Sequence, residues 1–158
     1  TVRGLDYVCG GQTGMTDDDG MFTFERTREI TFKLGTITIG ETVPVVTGLE
    51  YGHFLPDVWI FTPRYLVPDA KNNSDPVLAN ILRFLQTLDN DYNPNDGVDN
   101  AANGIYISDA VRNNAATMNL QLDFTLDETE FVDAAENVII ALTGKYRQLI
   151  PKIAAQNH

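Results

Sequence analysis

Thiols, imidazoles and basic side chains are all scarce in this chain. A single cysteine, Cys9, excludes an internal disulfide framework. It reads either as a buried small hydrophobe or as an intermolecular bridge or reactive thiol, and no neighbour in sequence lowers its pKa. There are two histidines, His53 and His158, the second at the end of the chain. Eleven Lys and Arg face 22 Asp and Glu, for a net charge of −11, which argues against nucleic acid or an anionic membrane surface as partner. No apolar run reaches the roughly 18–20 residues of a membrane span, so membrane insertion is not expected. No leader-like segment opens the sequence, and Thr1 is read as a mature terminus or an artificial boundary.

Catalytic signatures are missing too. There is no Gly-x-Ser-x-Gly elbow and no His-Glu-x-x-His pair. The run Gly10-Gly11-Gln12-Thr13-Gly14 lacks the Lys and Ser/Thr of a phosphate-binding loop. Carboxylate pairs of the glycosidase kind are within the reach of any acidic protein and carry no signal. His53 sits among aromatics and reads as a hydrogen-bonded core or rim residue. The chain is therefore not expected to be an enzyme.

What is present divides into two parts. Hydrophobic content of 43% with 21% charged residues is that of a globular protein and not a disordered one. Up to residue 69 the pattern has period two: Phe22 and Phe24 flank Thr23, Ile30, Phe32 and Leu34 alternate with Thr31 and Lys33, and Ile37 and Ile39 alternate with Thr36 and Thr38. A first strand holds Tyr7 and Val8, and a later one Val43, Val45 and Val46, with Pro44 marking an edge. Residues 1–69 thus read as a meander of short antiparallel strands with one wet face, which the resemblance given below would make a β-sandwich.

From residue 70 to 158 the period becomes helical. Ser74, Asp75 and Pro76 are a start signal. Val77, Leu78, Ile81, Leu82, Phe84, Leu85 and Leu88 cover most of the helix circumference, which requires enclosure between the sheet and another helix. Ser108 and Asp109 open a short helix. Asp127 and Glu130 form a capping box before the stripe Phe131, Ala135, Val138, Ile139 and Leu142, which Gly144 ends. A last helix is expected from about Lys145, interrupted or restarted at Pro151. The fold class is α+β, one unit with its helical portion packed on the strands.

The segment 49–68 sets Tyr51, His53, Phe54, Trp59, Phe61 and Tyr65 between Pro56, Pro63 and Pro68. Such aromatics are either core plugs beneath an irregular loop or an exposed platform, in which Trp59, Tyr51 and Tyr65 would bind a sugar or other ligand.

The acidic, amide-rich run 89–100 follows the apolar helix directly. Asp89, Asp91 and Asn93 stand at alternate positions, and Asn95, Asp96 and Asp99 follow. Alternate oxygen-bearing side chains converge on a hard cation that takes six to eight oxygens at about 2.3–2.6 Å, which means Ca²⁺ before Mg²⁺. Pro94 occupies the place of the EF-hand glycine and Asn100 that of its closing glutamate, so this is a calcium loop of another kind. Turn formers of the same types also make plain solvated loops. Residues 1–70, 71–109 and 110–158 carry charges of −5, −4 and −2, so negative charge is densest around this loop. Asp17 and Asp19, in the acidic turn before Phe22, form a second, weaker cluster that a hairpin turn explains as well.

The segment Gly14-Met15-Thr16-Asp17-Asp18-Asp19-Gly20-Met21-Phe22-Thr23-Phe24 resembles the Thr-Asp-x-x-Gly-x-Phe-x-Phe signature of carboxypeptidase-regulatory-like, transthyretin-type β-sandwich modules. With Leu5-Asp6-Tyr7-Val8-Cys9, Ile30-Thr-Phe-Lys-Leu-Gly35, Leu-Gln-Thr-Leu-Asp at 85–89 and Asn103-Gly104-Ile105, the chain is similar to surface-associated modules of bacterial adhesin-like and lipoprotein-like proteins. The resemblance covers most of residues 1–109. Two departures stand out: the stretch 96–102 reads as inserted, and many such modules carry a second cysteine near the position of Ile30. The resemblance implies a secreted or cell-surface, calcium-stabilised module of prokaryotic origin and no known chemistry. The extended start and the edge strand allow further copies to join into a filament by strand addition, and a surface glycan or protein is the other partner expected.

Overall fold

The computed structural model describes residues 1–25, 28–42, 57–91 and 104–156, with 57–60 described by their backbone. Seven strands come first: β1 (Val2–Arg3), β2 (Asp6–Cys9), β3 (Gln12–Met15), β4 (Met21–Phe24), β5 (Ile30–Leu34), β6 (Ile37–Thr42) and β7 (Asp57–Ile60). A 3-10 turn at Pro63–Leu66 leads to helix α1 (Pro76–Leu88). After β8 (Ile105–Tyr106) come α2 (Asp109–Thr117), α3 (Glu128–Thr143) and α4 (Lys152–Gln156). Antiparallel strands followed by helices make the protein α+β, as expected.

Four strands form one antiparallel sheet in the order β3-β2-β5-β6. β4 and β7 form an antiparallel ribbon, and β1 and β8 a parallel pair. The period-two pattern sorts side chains as expected: Tyr7, Cys9, Ile30, Phe32, Leu34, Ile37 and Ile39 are buried, while Val8 and Thr38 face out. Phe32 lies 6.2 Å from Tyr7, 5.1 Å from Phe22 and 4.3 Å from Phe61 between ring centroids, so the ribbon packs on the inner face of the sheet through aromatics.

Side chains of β2 also tie the ribbon to the sheet. The Tyr7 hydroxyl accepts the Thr23 N–H at 3.2 Å, and the Cys9 sulfur accepts that of Glu25 at 3.4 Å. Tyr7 reaches β4 by crossing Gly14, where any Cβ would run into its ring. Cys9 is the buried residue of its two readings, with only 2% of its surface exposed.

Helix α1 begins where Asp75 accepts the N–H groups of Val77 and Leu78 at 3.0 and 3.1 Å. Leu78, Ile81, Phe84, Leu85 and Leu88 are enclosed, while Val77 and Leu82 are partly buried, and four polar residues, Asn80, Arg83, Gln86 and Thr87, are buried with them. Asn80 donates to the carbonyls of Phe124 and Leu126. Arg83 donates to Ile150 O at 2.8 Å and pairs with Glu128 at 2.9 Å. Thr87 donates to Arg83 O and accepts the Ile150 N–H. One buried cluster joins strand residues such as Phe32 to helix residues such as Ile81 and Phe131, so the two parts share a core.

Ser108 and Asp127 cap α2 and α3 as expected, each side chain accepting an N–H three residues on. Gly144 ends α3 in the left-handed conformation at φ 70°. The last helix is shorter than expected. Residues 145–150 are not helical, and α4 runs only from Lys152 to Gln156. Tertiary partners account for this: Leu149 N–H goes to Glu136 and Ile150 N–H to Thr87, in place of helical carbonyls. The strand expected around Val43, Val45 and Val46, and the edge at Pro44, lie outside the described residues.

Candidate functional site

The apolar helix delivers Asp89 to its own C-terminal end, where the last carbonyls need donors. Arg147 supplies them: its Nη1 donates to Thr87 O at 2.9 Å and to Asp89 O at 2.7 Å. The Asp89 side chain turns the other way. Its Oδ1 accepts the Asn90 N–H at 2.9 Å and the Tyr106 N–H at 2.8 Å. The Asn90 N–H also meets the Tyr106 carbonyl at 3.0 Å. Both backbone polar groups of Tyr106 are therefore held by 89–90, and the chain leaving at Asn90 returns at Ile105 to the same place.

Asp89 is half-buried and faces a second carboxyl on Asp91. Burial raises its pKa above the ordinary carboxylate value, and repulsion from Asp91 adds to this. The N–H groups of Tyr106 and Asn90, and the Arg147 charge, pull in the opposite direction without cancelling it. A partly dehydrated carboxylate beside another is relieved by a cation. Oδ1 takes two N–H groups, and an ionised carboxylate offers about four lone-pair sites in all.

β8 meets β1 on its other side, with Ile105 N–H on Thr1 O and Ile107 N–H on Arg3 O, both at 3.0 Å. Gly104 permits this approach, since a Cβ there would strike Thr1. The Arg3 guanidinium lies 4.3 Å from the centroid of the Tyr106 ring, and its Nε is 2.9 Å from Asp18. Through Arg3 and Tyr106 the two acidic segments, distant in sequence, are joined into one chain of contacts.

Of the residues expected to bind a cation, Asp89 and Asp91 stand at the end of α1, while Asn93, Asn95, Asp96 and Asp99 lie outside the described residues. In the second cluster, Asp17 Oδ1 accepts the N–H groups of Asp19 and Met21 at 3.0 and 2.8 Å, an Asx turn. Among the described residues, no group of three or more His, Cys, Asp or Glu is placed to hold a metal ion. In the aromatic segment Phe61 is fully buried and Tyr65 is 37% exposed. Tyr51 and His53 lie outside the described residues, as does the Trp59 side chain.

Sequence reasoning missed Tyr106, Arg147 and Arg3. Asn103-Gly104-Ile105 flagged the neighbourhood of Tyr106, but nothing local announced the two arginines: Arg147 meets Asp89 58 residues away, and Arg3 meets Asp18 and Tyr106 from a different strand. Among the described residues, no helix is long and apolar enough to cross a membrane. Comparison with protein-family models, curated proteins and solved structures found no match to this chain.

Proposed function

We propose that this protein is a structural or interaction module of the cell surface or secreted space, stabilised by Ca²⁺ held in the loop 89–99. The observation that carries the reading is the half-buried Asp89 carboxylate, raised in pKa beside Asp91 at the point where the loop closes. Asp91, Asn93, Asn95, Asp96 and Asp99 supply further oxygens in sequence. The net charge of −11 favours cations over anionic partners, and the sequence carries no catalytic signature. The ribbon β4–β7 facing the four-stranded sheet is in keeping with a β-sandwich of the adhesin-like modules the sequence resembles. Bound Ca²⁺ would stabilise the folded state by its binding free energy, about 2.7 kcal/mol at a hundred times Kd.

Calorimetric titration with Ca²⁺ and Mg²⁺, with thermal melts in Ca²⁺ and in chelator, tests this. Ca²⁺ is expected to bind and raise Tm, and Asp89→Ala or Asp91→Ala to weaken both effects. An unchanged melt of the wild type in Ca²⁺ and chelator refutes the reading.

Self-assembly by strand addition has a specific observation in its favour. Among the described strands β3 is an edge of the sheet, and Gln12-Thr13-Gly14-Met15 has none of the charges or prolines that guard such edges. Size-exclusion chromatography with and without Ca²⁺ checks it, and a strict monomer at high concentration in both removes it.

A further inference from the structure

We infer that the extended segment 119–123, between α2 and α3, is the edge that receives β3 of a second copy, so that copies join head to tail. This pairing rests on the self-assembly reading above and names the surface on which β3 would dock.

Residues 119–124 alternate as a strand does without belonging to one. Leu120 and Leu122 pack against the core and Phe124 is buried, while Asn119, Gln121 and Asp123 are exposed. Backbone direction alternates with the same period. The Thr36 hydroxyl donates to Leu120 O at 2.7 Å with Met118 O beside it at 3.3 Å, and it accepts the Leu120 N–H at 2.9 Å. The backbone groups of Met118 and Leu120 therefore face the turn between β5 and β6, and those of Asn119, Gln121 and Asp123 face the other way. Among the described residues these outward N–H and C=O groups meet no partner.

β3 presents the matching half. Thr16 N–H goes to Leu5 O at 2.8 Å, in register with Gly14 opposite Tyr7 and Gln12 opposite Cys9. The even residues thus point their backbone at β2 and its approach, and Thr13 and Met15 point theirs away from the sheet. β2 and β5 separate β3 from the Thr36 turn in the strand order, so one chain cannot satisfy its own two edges. Two different open edges on one molecule make a heterologous contact, which repeats from copy to copy.

Charge selects the occupant. Two copies carrying −11 each repel, so they can meet only where carboxylates are sparse. Residues 7–16 carry no charge, residues 113–122 carry none, and Asp123 alone stands at the margin of the pairing. An uncharged edge gives a basic peptide nothing to seek and leaves this chain's own uncharged β3 as the fitting strand.

Two variants close one edge each. Asn119→Pro removes an outward N–H, and Met118 before it, at φ −105° and ψ 143°, already holds the backbone that a residue before proline favours. Thr13→Pro removes an outward N–H from an edge strand, where no ladder bond is lost. Light scattering after size exclusion follows the mass of each protein over a concentration series, alone and mixed. Wild type should grow in mass with concentration, and each variant alone should stay a monomer. Their equimolar mixture, which holds one intact edge of each kind, should reach twice the monomer mass and stop there.

A mixture that stays monomeric overturns the pairing. Asn119→Pro that associates like wild type overturns 119–123 as the receiving edge and leaves self-assembly through β3 intact. Thr13→Pro that associates like wild type, or a wild type that is monomeric throughout, overturns the self-assembly reading and this pairing with it. Should a proline variant not fold, Asn119→Lys and Thr13→Lys place on the same edges the charge that guards natural ones, and the same outcomes decide.

Discussion

Asp89 and Tyr106, seventeen positions apart, meet through a 2.8 Å bond from the Tyr106 N–H to the Asp89 carboxylate. A carboxylate can serve this bond and a cation with different oxygens, but an alanine serves neither. The two roles are separable by substitution. In chelator, Asp89→Ala should cost about 1–3 kcal/mol of stability, the penalty of an amide left without its acceptor. Asp89→Asn keeps the acceptor and removes the dehydrated charge, so it should match wild type within about 1 kcal/mol or exceed it. Both should lose the Ca²⁺-dependent rise in Tm. Urea denaturation of the three proteins in chelator and in Ca²⁺ measures all of this, and equal losses for both variants in chelator would refute the separation.

The pH dependence follows from the same carboxyl. Burial, then Asp91, holds its folded-state pKa above the unfolded value, so the folded protein binds the extra proton between those two values. The contribution of Asp89 to apo stability therefore improves as pH falls through that window, against the trend of ordinary carboxylates. Above the window the ionised group is a constant penalty. Ca²⁺ must displace the proton, so its affinity should rise with pH across the window and then level off. Calorimetry from about pH 4 to 8, in two buffers of different ionisation enthalpy, should show proton release on the acid side only. Affinity that does not change with pH would count against Asp89 as a ligand.

The pattern of residues announced most of this architecture, for reasons that are local. Alternation in β4, β5 and β6 and the caps Asp75, Ser108 and Asp127 depend on neighbours within a few positions, and each stands where it was expected. The 145–150 segment was misread because its N–H groups are taken by Thr87 and Glu136, which no window around Pro151 contains. For the same reason Asp89 was visible as an acidic residue after a helix, while its grip on Tyr106 was not. Asp17 stood out as an acidic turn residue, and its two backbone acceptor bonds, to Asp19 and Met21, are those the same composition gives an Asx turn.

Arg83 is the charge on which the helical layer is assembled. Its side chain is 4% exposed, whereas that of its partner Glu128 is 59% exposed. Water already screens much of the ion pair, so Glu128→Gln should cost about 1 kcal/mol or less. Arg83→Ala removes buried stem atoms and leaves the Ile150 carbonyl without its donor, for about 2–4 kcal/mol. Arg83→Met refills the volume and should recover part of that loss. Denaturation midpoints of the three variants decide, and a Glu128→Gln loss as large as that of Arg83→Ala would show that the pair, and not the Ile150 contact, holds the layer.

Gly14 is a packing requirement on the strand side. It lies in extended backbone beneath Tyr7, and an added methyl would meet the ring at Cζ and Oη. The ring cannot simply swing aside, because its hydroxyl is held by the Thr23 N–H and its faces by Phe22 and Phe32. Gly14→Ala should therefore cost about 1–3 kcal/mol, although alanine suits a strand better than glycine elsewhere. The double variant with Tyr7→Val removes the obstacle, so the two losses should fall short of additivity by about 1 kcal/mol. Strict additivity in urea denaturation would mean that Gly14 is needed for its backbone and not for the ring above it.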